Sequence, residues 1–141
     1  MSRDLAEGLL ARARDDAAAV RAVLTITGVS DAIVGFHAQQ AVEKSIKAVL
    51  AANDHSFPFT HDLEGLVERC HDVGVELPEL VQHDAGLLTP YAVRHRYGGE
   101  PPALVDRDSA TEVTDEQLAA VNITRDTFHP EWNYTISPST N

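Results

Sequence analysis

Four polar residues that could together bind an anion recur at helical spacing in one segment of the chain. The residues are His37, Gln40, Lys44 and Lys47, separated by three, four and three positions. This spacing places them along one face of a helix, with Glu43 at its edge. Lys44 and Lys47 are the only lysines in the sequence, so they concentrate positive charge locally. The structural alternative is a solvated helix face with an ordinary i,i+4 pair between Glu43 and Lys47.

A second group of candidate residues follows Pro90 and consists of Tyr91, Arg94, His95, Arg96 and Tyr97. Guanidinium groups bind phosphate through two hydrogen bonds, and a tyrosine ring can stack on a base. We therefore predict one ligand-binding site formed by both groups: His37, Gln40, Lys44, Lys47, Arg94, Arg96 and Tyr97. In the structural alternative the tyrosines fill a gap between helices.

Three further polar residues are predicted to have structural roles. Asp62 opens a predicted helix, where its carboxylate favours the positive helix end, and His61 can cap it or bond to a neighbouring helix. Glu43 or Asp62 could also pair with one of the two arginines. The histidines and the cysteine match no zinc-site spacing, so we expect no metal and no cofactor.

The charge balance excludes several classes of partner. The 141 residues suit one domain with its own core. Eleven basic against 22 acidic residues give a net charge of −11, which repels duplex DNA and anionic membranes. A nucleotide or an RNA end could bind only at a local cluster of positive charge.

The single cysteine indicates a reducing compartment. Cys70 is the only cysteine, so it has no intramolecular disulfide partner. The first residues lead into a charged, alanine-rich run, and no stretch of 18 consecutive apolar residues occurs. We expect a cytoplasmic protein that does not associate with membranes.

The positions of Gly, Pro and capping residues divide the chain into helices and predict an all-α fold. A capping box is predicted at Thr114, where Gln117 stands three residues later. The predicted helices span residues 2–24, 31–52, 60–73 with Thr60 as N-cap, 78–97 with a kink at Pro90, and 115–128. Residues 98–112 are predicted to form a surface loop, and residues 135–141 a disordered tail.

Three segments resemble the HEPN domain family in composition, order and spacing: residues 36–50 (FHAQQAVEKSIKAVL), 60–63 (THDL) and 91–97 (YAVRHRY). The resemblance extends over nearly the whole chain and implies one helical domain at residues 1–134. It further implies an antiparallel up-and-down bundle of four to five helices, usually a homodimer, with a role in nucleotide binding or RNA metabolism. Many HEPN proteins act beside a minimal nucleotidyltransferase, and some such pairs are toxin-antitoxin modules.

The ribonuclease motif of the HEPN toxins, an Arg followed after four to six residues by a His, is missing. No His follows Arg94 or Arg96 in that window, and Arg125 and His129 have only three residues between them. Cleavage of RNA needs a base near the attacking hydroxyl and a cation at the phosphate. The missing histidine therefore favours a protein that is not an enzyme.

Three hypotheses follow from these observations. The first is a non-catalytic domain that binds a nucleotide or its phosphate and acts with a separate nucleotidyltransferase. The second is a metal-independent endoribonuclease in which His95 or His37 replaces the missing base and Arg96 stabilises the phosphorane. The third is a dimerising scaffold without a ligand.

Overall fold

The described part of the protein is helical throughout. The structure is a computed structural model that describes residues 2–91 and 107–120. Five α-helices have both ends within these ranges: α1 (Ser2–Leu24), α2 (Asp31–Ala52), α3 (Leu63–Asp72), α4 (Glu79–Asp84) and α5 (Arg107–Ala120). A 3-10 helix (Ala85–Leu88) follows α4, and residues 89–91 are also helical. Because these residues contain no strand, the predicted all-α class is confirmed.

The two long helices form the centre of the fold and have the predicted bounds. In α1 the buried residues recur every three or four positions, as one apolar helix face requires: Ala6, Leu10, Ala13, Ala17 and Val20. This face packs antiparallel on α2, which confirms the predicted antiparallel arrangement. Small alanine side chains let the two helices approach closely.

α2 is the central helix, since α1, α3, α5 and the 3-10 helix all pack on it. Its apolar side chains reach the core on several sides, and Ile46 and Leu50 are completely buried. Each such side chain contributes roughly 1.5–3 kcal/mol of burial free energy. A helix covered on so many sides can place polar residues between two neighbours, and the candidate site occupies such positions.

The N-terminus of α3 differs from the prediction by two residues. Asp62, and not Thr60, is the N-cap, because its Oδ1 accepts a hydrogen bond from the Glu64 amide at 3.1 Å. The Thr60 hydroxyl accepts from the Asp62 amide at 3.0 Å, which forms a turn before the helix. Gly74 ends α3 as predicted, with a φ of +78° that favours glycine.

The helix after Pro78 is shorter than predicted. α4 ends at Asp84, and the chain tightens into the 3-10 helix well before the predicted kink at Pro90. The Thr89 amide bonds to the Gly86 carbonyl in the 3-10 pattern. Pro90 has no amide hydrogen and could not have continued an α-helical hydrogen bond to Gly86.

The predicted capping box at Thr114 is wrong. α5 begins at Arg107, so residues 107–112 of the predicted loop are helical. Thr114 is buried in the middle of α5, and its hydroxyl donates to the Ala110 carbonyl at 2.9 Å. The early start is supported by Arg107, which bonds to the Asp31 carboxylate at 2.6 Å and to the Val29 carbonyl. Tertiary contacts thus override the local capping signal.

Several predictions concern residues outside the described ranges. They are the loop at 98–106, the extension of the last helix to Phe128, the domain end at 134 and the tail at 135–141. No helix of the described residues is long and apolar enough to cross a membrane.

Candidate functional site

The polar face predicted on α2 is divided between two clusters. We name them by the carboxylate at their centre. The Asp16 cluster comprises Asp16 of α1 with His37 and Lys44 of α2. The Glu43 cluster comprises Gln39, Gln40, Glu43 and Lys47 of α2 with His61, which precedes α3.

The Glu43 carboxylate accepts three hydrogen bonds although its side chain is only 5% exposed. Lys47 Nζ donates to Oε2 at 2.9 Å, Gln39 Nε2 donates to Oε1 at 2.9 Å, and His61 Nδ1 lies 2.8 Å from Oε1. Gln40 extends the network, since its Nε2 donates to Gln39 Oε1 at 2.6 Å. A buried charge is stable only when it is paired and hydrogen-bonded, and Glu43 meets both conditions.

The net effect of these surroundings is to lower the pKa of Glu43 below its ordinary value. Burial alone raises the pKa of this carboxyl, because it disfavours the charged form. Hydrogen bonds from Gln39, Lys47 and His61, together with the charge of Lys47, lower it by more. Glu43 is therefore ionised at neutral pH and would be a poor proton donor there.

The Glu43 cluster also fixes the loop between α2 and α3. Lys47 Nζ donates to the Thr60 carbonyl at 2.9 Å, and Gln39 Nε2 donates to the His61 carbonyl at 3.0 Å. The ring of Phe57 lies 5.6 Å from Lys47 Nζ, within cation–π range. At the other side, Arg69 Nε donates to the Ser56 carbonyl at 2.9 Å. The loop is therefore held at several points by buried or half-buried donors.

The Asp16 cluster joins α1 to α2 and is more open to solvent. Lys44 Nζ lies 2.7 Å from Asp16 Oδ2, and His37 Nδ1 lies 3.1 Å from Oδ1. The side chains of His37 and Lys44 are 30% and 24% exposed, against 11% for Lys47. One carboxylate thus orients an imidazole and an ammonium that both still reach solvent.

The chain just before Arg94 and Arg96 is attached to α3 through Thr89 and to α2 through Tyr91. The Leu63 amide donates to the Thr89 hydroxyl at 3.0 Å, which ties residue 89 to the start of α3. The ring of Tyr91 packs directly on Gly35, where an added Cβ atom would overlap the ring. Gln39 lies one helical turn beyond Gly35 on the same face of α2. Arg94, His95, Arg96 and Tyr97 themselves lie outside the described residues.

Each predicted site residue on α2 lies in one of the two clusters, but the lysines are separated. Lys44 faces α1, whereas Lys47 faces the loop before α3, and each is paired with a carboxylate. Of the three residues predicted to have structural roles, His61 lies 2.8 Å from Glu43 Oε1, and Asp62 accepts a hydrogen bond from the Glu64 amide. Whether the predicted residues bind a ligand remains a prediction.

Sequence reasoning missed Asp16 and Gln39. Asp16 is one of several acidic residues in α1, but it directly precedes Ala17 of the buried face. This position could have indicated a carboxylate close to the neighbouring helix. Gln39 is completely buried, and its i,i+4 spacing from Glu43 was a signal that distinguishes it from Gln40. Among the described residues, no group of three or more His, Cys, Asp or Glu side chains could hold a metal ion.

The fold and the site define a class of protein: a helical domain whose central helix carries an interior polar network against two neighbouring elements. The HEPN domain family matches residues 6–122, most of the chain, and the chain belongs to this family. No curated protein and no solved structure matches it. HEPN domains are often associated with nucleotidyltransferases or with ribonuclease activity.

Proposed function

We propose that this HEPN domain binds the phosphate groups of a nucleotide or of an RNA end, without catalysing a reaction. In this proposal it acts as a homodimer beside a separate minimal nucleotidyltransferase, in a module of the toxin-antitoxin type. Arg94 and Arg96 hold the phosphate oxygens, and Tyr97 offers a stacking face. His37, Gln40, Lys44 and Lys47 form the opposite wall of the site.

The observation that carries the proposal is the double attachment of the chain just before the arginines. Thr89 is bonded to Leu63 and Tyr91 packs on Gly35, so the chain leaves this point close to α2. Arg94 and Arg96 follow Tyr91 by three and five residues, which limits their Cα atoms to roughly 11 and 18 Å from that of Tyr91. The proposal requires both long side chains to turn towards the polar face of α2.

The charges of the clusters are compatible with an anion at this place. Each lysine neutralises one carboxylate, so the two ion pairs leave no net negative charge on this face of α2. Arg94 and Arg96 would then supply the charge that binds phosphate. On a chain with a net charge of −11, a face without net negative charge repels a phosphate group less than an acidic surface would.

Calorimetric titration with ATP and with tripolyphosphate at low ionic strength tests the proposal. We expect binding of both, weakened about tenfold or more in Arg94→Ala or Arg96→Ala, since a charge-assisted hydrogen bond contributes roughly 1.5–3 kcal/mol. Arg21→Ala is the matched control, because Arg21 pairs with the exposed Asp115. Absence of heat and of a thermal shift at millimolar ATP would refute phosphate binding.

The partner requires a separate measurement. We expect a nucleotidyltransferase to co-purify with the chain at native expression levels, and light scattering to show a dimer. A monomer with no nucleotidyltransferase bound would contradict this part of the proposal and leave phosphate binding to the titration.

One contact supports an endoribonuclease as a second candidate. Asp16 holds Nδ1 of His37 at 3.1 Å, and the imidazole remains 30% exposed, so Nε2 could act as a general base, as in other carboxylate–histidine pairs. Arg96 would stabilise the phosphorane, and His95 is the alternative base. Cleavage of labelled RNA that disappears in His37→Ala or His95→Ala and in Arg96→Ala would establish this activity over simple binding.

A further inference from the structure

Phe59 differs from the other large apolar residues at the surface. Leu5, Ile26 and Leu87 are 52–56% exposed and each buries nearly half of its surface, whereas Phe59 is 105% exposed and buries none. Single exposed apolar side chains are common and need no explanation by themselves. The exposure of Phe59 is relevant because the backbone on both sides of it is held by hydrogen bonds and His61 lies two residues further along the chain.

The backbone on both sides of Phe59 is fixed. The carbonyl of Thr60, the next residue, accepts a hydrogen bond from Lys47 Nζ, and the His61 carbonyl accepts one from Gln39 Nε2. On the N-terminal side, Phe57 lies against the Lys47 ammonium and Ser56 is bonded to Arg69. Little loop entropy would be lost when a ligand binds to a ring presented in this way.

His61 provides a polar group beside the ring. Its Nδ1 is engaged by Glu43 at 2.8 Å, while its side chain is 39% exposed, and Nε2 has no hydrogen-bond partner in the part of the chain that the structure describes. The Cα atoms of Phe59 and His61 can be at most about 7 Å apart. An exposed aromatic face and an exposed imidazole therefore belong to residues two positions apart in the same loop.

We infer that Phe59 and His61 form a nucleobase-binding edge, on which Phe59 stacks with the base and His61 Nε2 hydrogen-bonds to the base or its ribose. This inference rests on the proposed function and extends the site to the loop before α3. Phe59 directly precedes Thr60, whose carbonyl accepts from Lys47 Nζ at 2.9 Å, so its ring belongs to a loop that is attached to the polar face of α2. Base stacking next to a phosphate-binding surface is usual at such sites. A protein-binding anchor would instead be expected at the centre of a larger apolar patch.

The base can belong to a mononucleotide or to a single-stranded RNA end, and the test separates the two. Binding of ATP, of tripolyphosphate and of a short oligoadenylate is measured for the wild type, Phe59→Ala and Phe59→Trp. Stacking predicts that Phe59→Ala weakens binding of the base-containing ligand about 5- to 150-fold and leaves tripolyphosphate binding unchanged. Phe59→Trp should retain binding and show quenching of the new indole fluorescence.

Ile26→Ala is the control for loss of an exposed apolar side chain, since Ile26 lies in the turn before α2. A loss confined to ATP identifies a mononucleotide, and a loss confined to oligoadenylate identifies an RNA end. If Phe59→Ala binds all three ligands like the wild type, the nucleobase edge is wrong although the phosphate site stands. If none of the ligands binds the wild type, the proposed function fails and the inference falls with it.

Discussion

Replacing Glu43 by alanine should destabilise the domain severely, because the substitution removes the centre of the interior network. The Lys47 ammonium is only 11% exposed and would lose its ion pair with the Glu43 carboxylate. The Thr60 carbonyl, 2.9 Å from Nζ, would remain, but a carbonyl dipole compensates a buried charge only in part. His61 and Gln39 would each lose an acceptor as well.

The magnitude follows from the burial of the pair. Removing one partner of a buried ion pair costs about 3–5 kcal/mol, since the other charge stays buried without compensation. Losses at Gln39 and His61 are smaller, because Gln39 still donates to the His61 carbonyl and the exposed His61 ring can bind water. We expect a total of about 3–5 kcal/mol, a large part of the roughly 5–15 kcal/mol that stabilises a typical domain.

Urea unfolding followed by circular dichroism measures this cost. With a slope of about 2 kcal/mol per molar urea, the midpoint should fall by about 2 M. Asp115→Ala is the matched control, because the Arg21–Asp115 pair has a similar N···O distance of 2.8 Å but is 61% and 49% exposed. Such exposed pairs contribute about 0–1 kcal/mol.

The comparison of the two variants decides the argument. If Glu43→Ala lowers the unfolding free energy by less than about 1 kcal/mol, the Glu43 cluster does not hold the loop to α2 as described. An equal loss in both variants would show that burial is not the reason for the difference between the two ion pairs.

Three further predictions concern other features of the fold. Gly35→Ala should destabilise the domain by about 1–3 kcal/mol in thermal unfolding, because the new methyl group would overlap the Tyr91 ring. Gly8→Ala is the control and should stabilise the domain by about 0.5–1 kcal/mol, because the added methyl group in α1 meets no atom within 4 Å. Equal effects of the two substitutions would contradict the packing of Tyr91 on Gly35. Since the folded pKa of Glu43 is lowered, its stabilisation is present above the unfolded value of about 4.3 and is lost as the pH falls through the folded pKa. The stability difference between wild type and Glu43→Gln should therefore shrink from pH 7 to pH 3, and a constant difference would refute this. Burial raises the pKa of the Cys70 thiol to about 12 despite the charge of Arg69. A thiol reagent at pH 8 should therefore label the protein only after unfolding. Rapid labelling of the folded protein would contradict this and show that α3 opens.

The sequence determined the main helices and the residues on the polar face. The bounds of α1 and α2 agree with the prediction because both helices are long, periodic and delimited by glycine or turn residues. The polar face of α2 could be listed for the same reason, since helical spacing alone fixes which side chains share a face. Local signals were less reliable at Thr60, where the neighbouring Asp62 caps the helix instead, and at Thr114, where the helix begins earlier and Arg107 at its start bonds to the distant Asp31.

The partner that each polar residue contacts depends on how the helices pack together. The sequence presents Lys44 and Lys47 as one cationic pair, but they lie at opposite edges of the polar face, so one bonds to Asp16 in α1 and the other to Glu43 and the loop. Asp16 is 28 residues from Lys44 along the chain, and no local spacing rule connects positions so far apart. A helix face specifies which side chains are available, whereas the packing of the surrounding elements specifies their partners, burial and charge state.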